Sequence, residues 1–147
     1  MCPCFLIWNE ILTASAVEEL LASLDALHVV VANAGCATQF PRRLTVDGIE
    51  ATFQANYLGH FLLLTRLLPL LEKTASCPGA IPSRVVHLTS GAHRGAPEAG
   101  VPLTLDGIND PDIGPYARYG MAKVCLFSIA TVWDPFQISF RLLLTVG

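Results

Sequence analysis

Tyr119 and Lys123 stand four residues apart in Tyr119-Gly120-Met121-Ala122-Lys123, inside a run from Tyr119 to Thr131 that reads as helix. That spacing stacks the two side chains on one helical face, one turn apart. A lysine ammonium beside a phenol favours the phenolate and so lowers a tyrosine pKa from its reference of about 10. A tyrosine tuned in this way passes a proton to or from a reacting alcohol or carbonyl near neutral pH. Taken alone, the pentapeptide favours a plainer reading, a surface tyrosine and lysine on an amphipathic helix. Segments upstream change those odds.

Three of them fit the same chemistry. Arg84-Val85-Val86-His87-Leu88-Thr89-Ser90 is a short apolar strand that ends in a hydroxyl. Phe53-Gln54-Ala55-Asn56-Tyr57-Leu58-Gly59-His60-Phe61 sets a polar Asn in an apolar helical run. Val29-Val30-Val31-Ala32-Asn33-Ala34-Gly35 is a β-branched strand running into Asn-Ala-Gly. In this order, the set resembles the short-chain dehydrogenase/reductase family, over about residues 15–127. The run from Leu103 to Asn109, leading to Tyr116-Ala117-Arg118-Tyr119, looks like the retinol-dehydrogenase-like branch, its fungal relatives in particular.

The resemblance implies roles. Tyr119 is the general acid/base, and Lys123 tunes it and holds the nicotinamide ribose. Ser90 orients the substrate oxygen. Asn56 distorts its helix, and its backbone carbonyl holds a water that continues a proton relay from the lysine. Asn33, Ala34 and Gly35 lie beside the cofactor, with Tyr119 and Lys123 also touching it. The cofactor is NAD or NADP, with NADP slightly favoured, and the substrate a small apolar carbonyl or alcohol. Each residue also has a plain reading. Asn33 to Gly35 suit a strand-ending turn, Asn56 an ordinary helical Asn, Ser90 a strand-end turn, with Thr89 its neighbouring alternative. His60 tempts a catalytic reading because histidine titrates near neutrality, but on this helix it reads as packed or partly exposed. No metal-ligand pattern stands out. Cys2, Cys4, Cys36, Cys77 and Cys125 are odd in number and fit no zinc or disulfide framework. Reduced thiols in an intracellular, cytoplasmic protein are the expectation.

The elements that must position these residues follow from composition and pattern. The 147 residues suffice for one domain with a real core. Hydrophobic residues make up 52% and charged residues 14%, which argues against disorder. A net charge of −3 without a basic cluster leaves nucleic acid no electrostatic footprint. Mean hydropathy is +0.51, high for a soluble monomer, and points to a large buried sheet, an interface or a membrane. Leu58 to Leu71 is very apolar, but His60 and Arg66 interrupt it and it falls short of the ~20 residues a span needs. A buried helix is favoured over a transmembrane one.

Ser15-Ala16-Val17-Glu18 is a capping-box pattern and predicts a helix over 16–25. His28 to Ala32 reads as a strand buried on both faces, as in a parallel sheet. Thr45 is the expected N-cap of a helix over 46–72. Strands are expected over 28–33 and 84–90, a long loop from Gly91 to Pro115 and a helix over 117–131. Asp134-Pro135 ends that helix, and Arg141 to Val146 is a stray apolar strand. The fold class is α/β, an incomplete Rossmann-like parallel sheet flanked by helices, in one partial NAD(P)-binding domain spanning 1–147. Leu58 to Leu71 is expected to leave an apolar stripe uncovered, and the helix over 46–72 to favour a homo-oligomer.

No Gly-x-x-x-Gly-x-Gly segment follows a strand in these residues, so the pyrophosphate cradle of the family is not among them. The sequence resembles the catalytic middle of a dehydrogenase with both ends cut or replaced. Cofactor binding and turnover by this chain alone are therefore expected to be weak. A non-catalytic fragment, and a binding protein whose apolar helix docks a partner, stand beside the enzyme reading.

Overall fold

The computed structural model describes residues 9–36, 41–79, 81–132 and 139–145. Helix α1 spans Glu10–Ser23 and begins earlier than its capping box suggests. The side chain of Asn9 accepts the N–H groups of Ile11 at 2.7 Å and Leu12 at 3.2 Å, so Asn9 is the cap. Strand β1 follows at Val29–Ala32, β2 at Arg84–Ser90 and β3 at Ser139–Thr145.

All three strands are parallel, in the order β1-β2-β3. The register runs from Val29↔Arg84 to Ala32↔His87, and from Arg84↔Ser139 to Ser90↔Thr145. Parallel neighbours need crossovers. Helix α3, Gly59–Ala75, makes the first and α5, Pro115–Val132, the second. The apolar run near the end of the sequence is thus no stray strand: it extends the sheet. Asp134 and Pro135 lie outside the described residues, and α5 is assigned as far as Val132.

The long helix expected over 46–72 starts later and is not uniform. Thr45-Val46-Asp47-Gly48 is a turn, closed by the Gly48 N–H on the Thr45 carbonyl at 3.0 Å, with Gly48 at φ +73°. That left-handed conformation suits glycine and stops a helix from beginning there. Glu50 is the cap instead, its carboxylate accepting the Phe53 N–H at 2.9 Å. A short α-turn α2, Ala51–Phe53, passes into a π-turn, Gln54–Leu58, before α3 proper. The stretch expected as a loop between β2 and α5 also holds structure: a 3-10 helix at Gly91–Gly95 and a helical turn α4 at Leu105–Ile108. Pro115 occupies the first turn of α5, where its missing N–H costs nothing.

The described helices cover one face of the sheet. Val17 of α1, Leu64, Leu67 and Leu71 of α3 and Val85 of β2 form one buried cluster, with Val30 and Leu27 against it. The other face of β1 is open: Val29 is 52% and Val31 59% exposed. This corrects the reading of β1 as buried on both faces. A β-branched run shows strand propensity on both faces, but only the face under α1 and α3 is covered among the described residues. The apolar stripe expected on α3 is likewise not where the bare surface lies. Its leucines are buried or half-buried against α1 and the sheet, and its outward positions are mainly Thr65, Arg66 and Pro69, with Phe61 partly showing. Among the described residues, no helix is long and apolar enough to cross a membrane.

These packings predict opposite outcomes for two apolar positions. Leu64→Ala should cost about 2–5 kcal/mol of stability, since it empties a fully buried site. Val31→Thr should stay within about 0.5 kcal/mol, since its side chain is already in water. Urea denaturation of the two variants checks both.

Candidate active site

Parallel strands place their carboxyl ends together, and the site forms there. Asn33, Gly35 and Cys36 after β1, Leu88 and Thr89 of β2, Asn56 of the π-turn, and Tyr119 and Lys123 of α5 line one cleft of about 200 Å³. Lys123 and Tyr119 meet as their spacing requires, with the lysine Nζ 5.3 Å from the centroid of the tyrosine ring.

Two bonds tie α5 to the end of β2. The Lys123 ammonium donates to the Leu88 carbonyl at 3.0 Å, and the Thr89 hydroxyl donates to the Lys123 carbonyl at 3.1 Å. Lys123 is only 5% exposed. Burial pushes its ammonium pKa down, partly opposed by the nearby Cys36 thiol.

Asn56 is at the centre of the π-turn. Its side-chain amide donates to the Cys36 carbonyl and the Thr52 carbonyl, both at 2.8 Å. Its side chain therefore fastens the loop after β1, while its backbone carbonyl takes the His60 ring Nδ1 at 3.0 Å. The fit at the loop is close. A Cβ on Gly35 would stand 2.3 Å from the Asn56 Oδ1, so only glycine is accommodated there.

Ser90 sits one residue past Thr89 and is not among the cleft's lining residues; Ala34 is not among them either. The Ser90 hydroxyl accepts the Ala92 N–H at 3.2 Å, capping the 3-10 helix, and its carbonyl takes the His93 ring Nδ1 at 2.7 Å. The capped turn rests on α5. A Cβ on Gly120 would lie 2.7 Å from the Ala92 carbonyl oxygen and the Ala96 nitrogen. The turn that Ser90 caps is thereby packed against α5 at Gly120, the residue after Tyr119.

The sequence reading passed over several groups in this region. Cys36, Leu88 and Thr89 line the cleft, with Thr89 weighed only as an alternative to Ser90. His87 is buried at 0% exposure, and His60, read from the sequence as packed or partly exposed, is buried at 2%. The period-2 alternation Val85, His87, Thr89 was the available signal, because it turns all three toward one face. Burial lowers the pKa of each histidine to about 4. For His60 the bond to Asn56 opposes this and the Lys123 charge adds to it. For His87 both His60 and Lys123 add to it.

No family model matches the chain. An uncharacterised oxidoreductase of Schizosaccharomyces pombe is 41% identical over 121 residues, 78% of this chain and 34% of the relative. A short-chain dehydrogenase/reductase of Aspergillus calidoustus is 41% identical over 100 residues, 67% of this chain and 31% of the relative. The chain belongs to the short-chain dehydrogenase/reductase family. It spans about a third of the length of these curated relatives. The fold agrees. An NADH-dependent reductase solved with NAD superposes at a TM-score of 0.69 and 17% identity, over 96% of this chain and 54% of the reductase. The parallel sheet with flanking helices is the Rossmann-like arrangement of that family. The agreement over 96% of the chain reaches past residue 127, where the sequence resemblance ended.

The two buried histidines predict an acid-labile core. Both are neutral in the folded protein and titrate near 6.5 once unfolded. Below 6.5 the unfolded chain binds the extra protons, so stability falls as pH drops. The contribution is complete above about pH 6.5 and is lost progressively toward pH 4. Urea midpoints measured from pH 7 to 4 should fall in that window, and less steeply for His87→Leu.

Proposed function

We propose that this chain carries the proton-transfer machinery of a nicotinamide-dependent oxidoreductase that acts on a small apolar carbonyl compound or secondary alcohol. The observation that carries the reading is the single cleft shared by Tyr119, Lys123 and Asn56 at the carboxyl ends of parallel strands. A phenol, an ammonium and Asn56 in one polar cleft form a unit for moving a proton.

The cofactor fits the residues present at one end. The hydroxyls of a ribose suit a cleft lined by Lys123, Tyr119 and Asn33, and Gly35 lets the backbone come close without a Cβ in the way. When bound, the nicotinamide cofactor supplies or takes the hydride. Tyr119 gives the matching proton to the substrate oxygen in reduction and takes it in oxidation. Lys123 stabilises negative charge on the phenol oxygen and binds the ribose. Ser90 donates its hydroxyl proton to the substrate oxygen, which its accepting bond from the Ala92 N–H leaves possible. The Asn56 carbonyl holds the water through which Lys123 exchanges protons with solvent. Asn33, Ala34 and Gly35 border the ribose. The fungal relatives and the family support this assignment, and reduced cysteines support a cytoplasmic location.

Positioning of the cofactor's remote half needs a glycine-rich strand, turn and helix, and these 147 residues do not include one. The test therefore supplies it. The chain is joined to the glycine-rich front segment of a family relative, and turnover of a simple ketone is followed with NADPH and with NADH. The joined protein should reduce the ketone. Tyr119→Phe should lower kcat by about 10²–10⁴-fold, the range general acid/base groups contribute. Gly35→Ala should weaken cofactor binding as the loop is pushed off Asn56. Full activity in Tyr119→Phe would count decisively against the reading.

A further inference from the structure

An α-helical carbonyl accepts the N–H four residues on, and a π-turn stretches that spacing to five. Here the Gly59 N–H reaches the Gln54 carbonyl in that longer pattern. In the middle of the turn, the Asn56 carbonyl receives a side chain, the His60 ring, with Nδ1 at 3.0 Å. A carbonyl can only accept, so Nδ1 is the donor and carries the proton. The tautomer is thus set: the Nε2 lone pair is left bare.

Nε2 is buried and has no hydrogen-bond partner among the described residues. Leaving such an acceptor unmet is unfavourable. A leucine or phenylalanine would fill the same space without that cost, so packing alone does not account for a histidine. What the ring provides that an apolar side chain cannot is the Nδ1–H on Asn56. Burial, with the Lys123 charge adding to it, disfavours a second proton on the ring, which keeps it a neutral donor.

A carbonyl oxygen has two acceptor positions. His60 engages one of them, and Asn56 itself lines the cleft with Lys123. We propose that His60 is a positioning residue for proton transfer, whose Nδ1–H holds the Asn56 carbonyl so that its second acceptor position is presented to the water serving Lys123. The role rests on the function proposed above. His60 itself neither gains nor loses a proton in the cycle.

Two measurements test it. Imidazole ¹⁵N NMR on the 147-residue chain should show His60 protonated at Nδ1 and bare at Nε2 at pH 7; an Nε2–H tautomer would overturn the proposal. In the protein joined to a relative's glycine-rich segment, His60→Leu should lower kcat between about ten- and a hundredfold, the scale of a misplaced group. The cofactor KM should hold within about twofold. His60→Asn, whose amide can donate near the position of Nδ1, should restore most of kcat, which a merely structural role would not require. Unchanged kcat in His60→Leu with Tyr119→Phe inactive would sink the role of His60 alone. An inactive joined wild type, or an active Tyr119→Phe, would sink the reading of the site on which that role depends. If His60→Leu fails to fold, His60→Asn and the NMR tautomer still decide.

Discussion

The arrangement hangs on a reciprocal lock between the end of β2 and the middle of α5. Lys123 donates its ammonium to the Leu88 carbonyl, and Thr89 returns a hydroxyl to the Lys123 carbonyl. A charged donor in a nearly dry place makes a strong hydrogen bond, and losing either partner leaves a buried polar group unmet. The lock fixes the distance and rotation of α5 relative to the sheet. Tyr119, one turn earlier on the same helix, inherits its position from it. Gly120 then lets the capped turn after Ser90 settle onto the helix, so the end of β2, that turn and α5 are held together.

Asn56 performs the matching task across the cleft. Its amide spans from the loop after β1 to the helix, and its backbone carbonyl is engaged by His60. With Gly35 pressed against its side chain, the loop and the helix move together. Asn is mediocre inside a helix because it competes for backbone partners. Here that competition is used, since the amide satisfies two carbonyls that the surrounding structure leaves over.

Much of this was legible in the sequence, for identifiable reasons. β2 was found at its observed ends, because an apolar run closed by hydroxyls has few alternatives. The Tyr119–Lys123 pair followed from helical spacing alone. Less legible were features set by backbone detail. Asn9 outcompeted the Ser15 capping box, and Gly48 at positive φ delayed the long helix to Ala51. β3 was read as stray because its partner is far away in sequence, and pairing is a non-local fact. Burial of both faces of β1 was inferred from residue type, which reports propensity for a strand and not the presence of a covering layer. The hydrogen bond that Ser90 spends on its own turn also lies beyond what spacing can reveal.

The π-turn has one more consequence, for the cores rather than for the site. Adding one residue to a helical turn rotates everything downstream by about 100° relative to what precedes it. Phe53, before the turn, packs with Met121 and Ala122 of α5. Leu64, Leu67 and Leu71, after it, pack with α1 and the sheet. One continuous helix thus serves two hydrophobic clusters that a straight helix would present on the wrong sides. Deleting a single residue between Gln54 and Leu58 would turn one cluster's side chains away from their partners, whichever cluster kept its seat.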